Sequence, residues 1–185
     1  MKFAVVAVFC ATFCACVHRT SALPVFSDVP EFHLTSQDGQ PFDSKVLAGN
    51  VWLADFIYTT CPGPCPRMTS QMHEVQSAVE NIPDVKLVSF TVDPQNDTPL
   101  VLTQYAKAHA AAAGRWYFLT GAPSELQRMD RDVFKLGDLN AGMEHSTRFV
   151  LVDRESRIRG YYDTSEAGSI ARVIQDINTL ARERS

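Results

Sequence analysis

Val51 to Tyr58 carries one charge, Asp55, in an otherwise apolar run, and no other stretch of the chain constrains the fold as strongly. A strand that alternates polar and apolar residues can leave one face in water. A strand apolar on both sides has to be covered on both. The sheet that contains this run therefore needs layers on each face, which points to an α/β architecture.

The flanking sequence supplies those layers. Val85 to Val92 and Trp116 to Thr120 read as further strands. From Pro66 to about Val79 the apolar residues Met68, Met72, Val75 and Val79 recur at helical spacing. Asp97-Thr98-Pro99 opens a helix expected to run to Ala113 and stop at Gly114, with Pro inside the start and Gly past the end. Ser124 opens a short helix. Arg148 to Asp153 and Arg157 to Tyr162 form a hairpin around Glu155-Ser156. Ala167 to Ala181 closes the chain as a helix with Ile170, Val173, Ile174 and Ile177 on one face. Upstream, Glu31 to Thr35 alternates, Asp38-Gly39 turns, and Gln40 to Phe42 returns. Right-handed crossovers place the early strands parallel and the last hairpin antiparallel. The order is that of a thioredoxin-like fold: a central mixed β-sheet flanked by helices, with an N-terminal β-hairpin extension, over residues 31–185.

The N-terminus has a separate character. Phe3 to Val17 is almost unbroken apolar sequence between Lys2 and His18-Arg19, the length of an export-signal core. Thr20-Ser21-Ala22 offers a small-residue cleavage site, Cys16 a lipid-attachment site, and a short tilted helix an uncleaved anchor. Residues 1–22 are thus a signal peptide or a membrane or lipid anchor, and residues 23–30 a Pro-bearing linker. Each reading puts the domain outside the cytoplasm, in the periplasm or on the outer face of the inner membrane. The net charge of −4 and the absence of a basic run argue against a nucleic-acid partner.

Of five cysteines, Cys10, Cys14 and Cys16 fall in that leader, which leaves Cys61 and Cys65. A disulfide spanning three residues removes little entropy from the unfolded chain, so a structural staple explains the pair poorly. The pair follows a strand and stands where a helix begins. Backbone N–H groups and the helix dipole there favour thiolate, the form that attacks disulfides and binds soft metals. Two thiolates are soft enough donors to suit Cu(I).

Cys61-Pro-Gly-Pro-Cys65-Pro66 after Asp55-Phe-Ile-Tyr-Thr-Thr60, Thr91-Val-Asp93-Pro94 with Asp97-Thr-Pro99, and Glu144-His145-Ser146 before Phe149-Val-Leu-Val-Asp153 resemble the Sco/SenC proteins. These are thioredoxin-fold copper-binding proteins that help assemble the dinuclear copper centre of cytochrome c oxidase. The resemblance covers about residues 28–182 and implies Cys61, Cys65 and His145 as ligands for Cu(I), and for Cu(II) as well. It also implies the copper-receiving subunit of cytochrome c oxidase as partner. General thioredoxins have a two-residue spacer and no such His.

Three functions are compatible with these residues. The first is a copper chaperone that passes the ion by ligand exchange. The second is a thiol-disulfide oxidoreductase in which Cys61 attacks and Cys65 resolves, acting on the cysteines of that copper site or on other periplasmic thiol proteins. The third is a peroxidase, for which Thr59, Thr60 and Arg67 are poorly spaced. Asp55 is either a buried carboxyl tuning the cysteines or a strand-end Asp bonded to backbone. Met68 and Met72 read as core, Asp93-Pro94 as a turn, and His33, His73 and His109 as unassigned.

Overall fold

The computed structural model describes residues 23–136 and 146–183. The leader with its three cysteines, Met143 and His145 lie outside the described residues.

One eight-stranded mixed sheet runs, edge to edge, through β1 (Ser27–Asp28), β8 (Arg157–Asp163), β7 (Arg148–Val152), β4 (Val51–Ile57), β5 (Val85–Thr91), β6 (Trp116–Thr120), β2 (His33–Ser36) and β3 (Pro41–Asp43). At its centre lies β4 (Val51–Ile57), every residue of which is buried. It pairs in parallel with β5 (Val85–Thr91), which pairs in parallel with β6 (Trp116–Thr120). On the other side β7 (Arg148–Val152) pairs antiparallel with β4 and with β8 (Arg157–Asp163). The hairpin β2 (His33–Ser36) and β3 (Pro41–Asp43) joins the same sheet, because β2 pairs with β6. Gly39 turns that hairpin at φ +74°.

Alternation along β4 separates two cores. Val51, Leu53 and Ile57 pack with α1 (Cys65–Ala78), α2 (Pro99–Ala108) and α4 (Ser169–Arg182). Trp52, Ala54 and Phe56 face an aromatic layer with Phe32, Phe90 and Phe134, beneath α3 (Pro123–Arg128) and its π-helical continuation Met129–Val133. Phe56 stacks on Phe90 at 4.9 Å and meets Phe134 edge-on at 5.6 Å. Because successive side chains alternate, Asp55 falls on the α1 face, on the same side as both cysteines.

Two expectations need correction. The helix from Pro99 ends at Ala108, five residues before Ala113. Gln76 on α1 donates to Ala110 O (3.1 Å) and accepts from Ala112 N–H (2.8 Å), and Ala110 turns to φ +51°. A buried side chain takes hold of backbone groups that the alanine run would otherwise have spent on helix. Residues 23–30, expected as a linker, contain β1 (Ser27–Asp28), paired with β8. Arg159, 3% exposed, holds this strap through Leu23 O (2.6 Å) and Pro24 O (2.9 Å).

Candidate metal and thiol centre

β4 delivers its last residues to a short loop, Tyr58 to Pro64, that leads into α1. Pro64 is the N-cap of that helix, Cys65 its first residue, and Pro66 occupies the second position, where a missing N–H costs nothing. Cys61 therefore precedes the helix by one turn, and Cys65 stands at the helix start. Cys61 is 8% exposed and Cys65 0%, with Pro62 and Gly63 exposed at the rim. The two are not joined in a disulfide. Their side chains hydrogen-bond to each other, so the sulfurs converge on one point.

The thiols differ in surroundings. Cys61 N–H donates to Tyr58 O (3.2 Å), and Gly63 N–H donates to Cys61 Sγ (3.4 Å). The Tyr58 side chain also hydrogen-bonds to Cys61, which pushes the phenol above its ordinary range. Cys65 reverses the expectation of a thiolate at the helix start. Burial pushes its thiol well up, and the contact with Cys61 adds to this, against a smaller opposing pull from the Tyr58 backbone. Loss of solvent outweighs the helix dipole here. Asp55 lies beneath the pair, fully buried; burial raises its pKa to about 7, offset in part by the Ser89 hydroxyl, which donates at 2.6 Å.

The sequence reading left two structural ties unassigned. Asp97 does not cap α2; Thr98 does, accepting from Val101 N–H at 3.4 Å. Asp97 turns inward and is 0% exposed. The second tie joins α1 to the entrance of β7. Arg67 and Gln71 both donate to Thr164 O at 3.0 Å, while Thr164 donates its N–H (2.9 Å) and hydroxyl (2.7 Å) to Thr147 O. The start of β7 is thus fixed against the first turns of α1. Only a pattern such as Thr91-x-Asp93-x-x-x-Asp97 hints at the first tie; nothing local signals the second.

Met68 and Met72 are buried in the α1 core, as packing requires. Asp93 acts as a turn former: its N–H donates to Thr91 Oγ1 (2.9 Å), and Oδ2 accepts from Asn96 (2.8 Å). His33 is exposed beside Asp43. Among the described residues no group of three or more His, Cys, Asp or Glu could hold a metal ion. Also among the described residues, no helix is long and apolar enough to cross a membrane.

The chain matches known proteins over this whole domain. The family model described as SCO1/SenC matches residues 24–182. The SCO1 protein homolog of Bacillus subtilis is 34% identical over 175 residues, covering 91% of this chain and 90% of the relative. A protein of Stutzerimonas stutzeri named for copper binding is 31% identical over 147 residues, covering 75% of this chain and 71% of its own. The solved structure of BsSco, described as a Sco-family cytochrome c oxidase assembly protein with a disulfide switch, superposes with a TM-score of 0.78. It is 32% identical and spans 90% of this chain and all (100%) of that one. With its thioredoxin-like sheet, the paired thiols at the start of α1 and a family match that spans the domain, the chain belongs to the SCO1/SenC family.

Proposed function

We propose that this protein carries copper on Cys61, Cys65 and His145 outside the cytoplasm and passes it to the copper-receiving subunit of cytochrome c oxidase. The observation that carries the reading is the convergence of two unbridged thiols behind a rim of exposed loop. Two soft sulfur donors that already meet can close on Cu(I) with little rearrangement. Their low exposure keeps water from a three-coordinate ion, and Pro62-Gly63 at the surface leaves the recipient a point of approach. The tie from α1 through Thr164 to Thr147 supports His145 as the third donor, because it fixes the chain two residues downstream against the cysteine helix. The Stutzerimonas relative is named for copper binding and BsSco for oxidase assembly, in keeping with this reading.

Ligation displaces the thiol protons, so binding grows tighter as pH rises, and more so here because burial holds Cys65 protonated. Release needs no change in copper oxidation state: incoming ligands replace the three donors one at a time. Oxidation of both thiols to the disulfide removes two electrons and two protons, and with them both sulfur ligands.

The greater exposure of Cys61 favours a second reading, thiol-disulfide exchange. Cys61 would attack a partner disulfide, and Cys65 would then displace the partner thiol. Chelator competition on the reduced protein separates the two. One-to-one Cu(I) binding that falls about tenfold or more in His145→Ala, roughly 1.4 kcal/mol, supports the chaperone. Binding indifferent to His145, alongside rapid reduction of a partner disulfide, would give the site to exchange chemistry.

A further inference from the structure

Asp97 lies 36 positions beyond Cys61 in the chain, yet its carboxyl group is spent on the cysteine loop. Thr59, two residues before Cys61, donates its backbone N–H to both carboxyl oxygens (3.3 and 3.2 Å) and its hydroxyl to Oδ1 (2.5 Å). Thr91, the last residue of β5, donates its hydroxyl to Oδ2 (2.5 Å). Asp97 N–H in turn donates to Asp93 O (2.8 Å), and the next residue caps α2. One buried side chain thus joins the end of β5, the start of α2 and the loop that presents Cys61.

Within the loop, Tyr58 O accepts from Cys61 N–H (3.2 Å) and the Tyr58 side chain reaches Cys61, which ties the two ends of that turn to each other but not to the sheet or to α2. Pro62 and Pro64 have no N–H, Gly63 N–H points at Cys61 Sγ, and Thr60 is exposed. The loop's position has to be set from outside. A site of two sulfurs tolerates a misplacement of only about 0.5 Å before either a metal or a disulfide fits poorly.

We propose that Asp97 is the positioning residue of the thiol centre, holding Thr59 so that the Cys61 sulfur meets Cys65 both for copper and for disulfide closure. The proposal rests on the reading of Cys61 and Cys65 as the working groups. Loosening the tie lets Cys61 wander. Both a shared ion and the intramolecular disulfide then become harder to form, so copper binds more weakly and the disulfide is more easily reduced.

The test measures Cu(I) affinity and Cys61–Cys65 reduction potential for wild type, Asp97→Asn, Thr59→Val, Thr59→Ser and Asp153→Asn, with the melting temperature of each. Asp97→Asn is expected to weaken copper about tenfold and to raise the potential by about 30 mV, the same factor for a two-electron couple. Thr59→Val, which keeps its backbone N–H, should lose about fivefold, the weight of one hydrogen bond, and Thr59→Ser should recover wild-type values. Asp153→Asn loosens a buried ion pair elsewhere and should lower only the melting temperature. If Thr59→Val melts early but keeps wild-type affinity and potential, Asp97 is structural only and the proposal is overturned. Should Asp97→Asn not fold, the Thr59 pair of variants decides by the same criterion. Should wild type bind no Cu(I), the copper reading falls and the reduction potential alone decides the role of Asp97.

Discussion

Asp55 beneath the cysteines and Asp153 at the β7–β8 turn are both buried, 0% and 3% exposed, yet their carboxyl groups shift in opposite directions. Asp55 receives one hydrogen bond, from Ser89, and its Oδ2 has no partner; desolvation wins and lifts its pKa to about 7. Asp153 meets the same burial penalty, but Arg159 (2.7 Å), Arg157 (2.8 Å) and the N–H groups of Glu155 and Arg157 outweigh it and hold the carboxyl below its usual range. Burial alone therefore makes a carboxyl that keeps its proton near neutral pH, beside the Cys65 thiol, which burial also pushes up. Burial with two guanidinium groups makes an anchor, and the anchor extends through Arg159 to the strap at Leu23 and Pro24.

The largest effect should come from breaking the anchor. Asp153→Ala leaves Arg159 buried without its carboxylate, and urea unfolding should show a loss of about 3–5 kcal/mol at pH 7. A loss below 1 kcal/mol would mean that the strap does not depend on the pair. Asp55→Asn should act in the opposite sense. A folded pKa of about 7 against 3.8 unfolded means that Asp55 favours folding below pH 4 and that this contribution is lost as pH rises through 7. Removing the titration should make the variant more stable than wild type at pH 8, by at most about 4 kcal/mol from 1.36 kcal/mol per pKa unit. Asp153 has the reverse sign: its contribution is present above the ordinary carboxyl range and fades as pH falls through its depressed value. Both variants should therefore approach wild type in acid and part from it in opposite directions as pH rises, Asp153→Asn falling below it above the ordinary carboxyl range and Asp55→Asn rising above it past about pH 7; parallel curves would erase the contrast.

Two smaller changes sharpen the picture. Ionised Asp55 raises the Cys65 thiol through its charge, so Asp55→Asn should shift the pH profile of Cys65 alkylation downward above pH 7. An unmoved profile would remove Asp55 from the thiol chemistry. At the anchor, Ser156 sits at φ +60° in the β7–β8 turn, where Gly pays no Cβ penalty. Ser156→Gly should gain under about 1 kcal/mol in thermal unfolding and leave copper affinity unchanged.

Much of this was legible along the chain. The apolar run from Val51 announced a strand covered on both faces, as β4 is, while Asp55 within it was left open between a buried carboxyl and a strand-end Asp. The Gly39 and Ser156 turns, the start of α2 at Pro99 and the helix that follows the second cysteine were all local signals. What failed did so because a distant partner intervened. Gln76 cut α2 short at Ala108, Arg159 drew residues 23 and 24 onto the fold, and burial overrode the helix dipole at Cys65.

The sequence by itself determined the layered α/β class, the order of its main strands and helices and the pair of cysteines at the end of the central strand, since periodicity, turn chemistry and cysteine spacing are properties of neighbours. Only the tertiary structure decided that burial pushes the Cys65 thiol up, which of two buried aspartates titrates near neutral pH, and which carboxylate the cysteine loop bonds to. Those outcomes depend on solvent exclusion and on hydrogen bonds between residues 34 to 38 positions apart, such as Ser89 to Asp55 and Thr59 to Asp97, and no local pattern encodes that proximity.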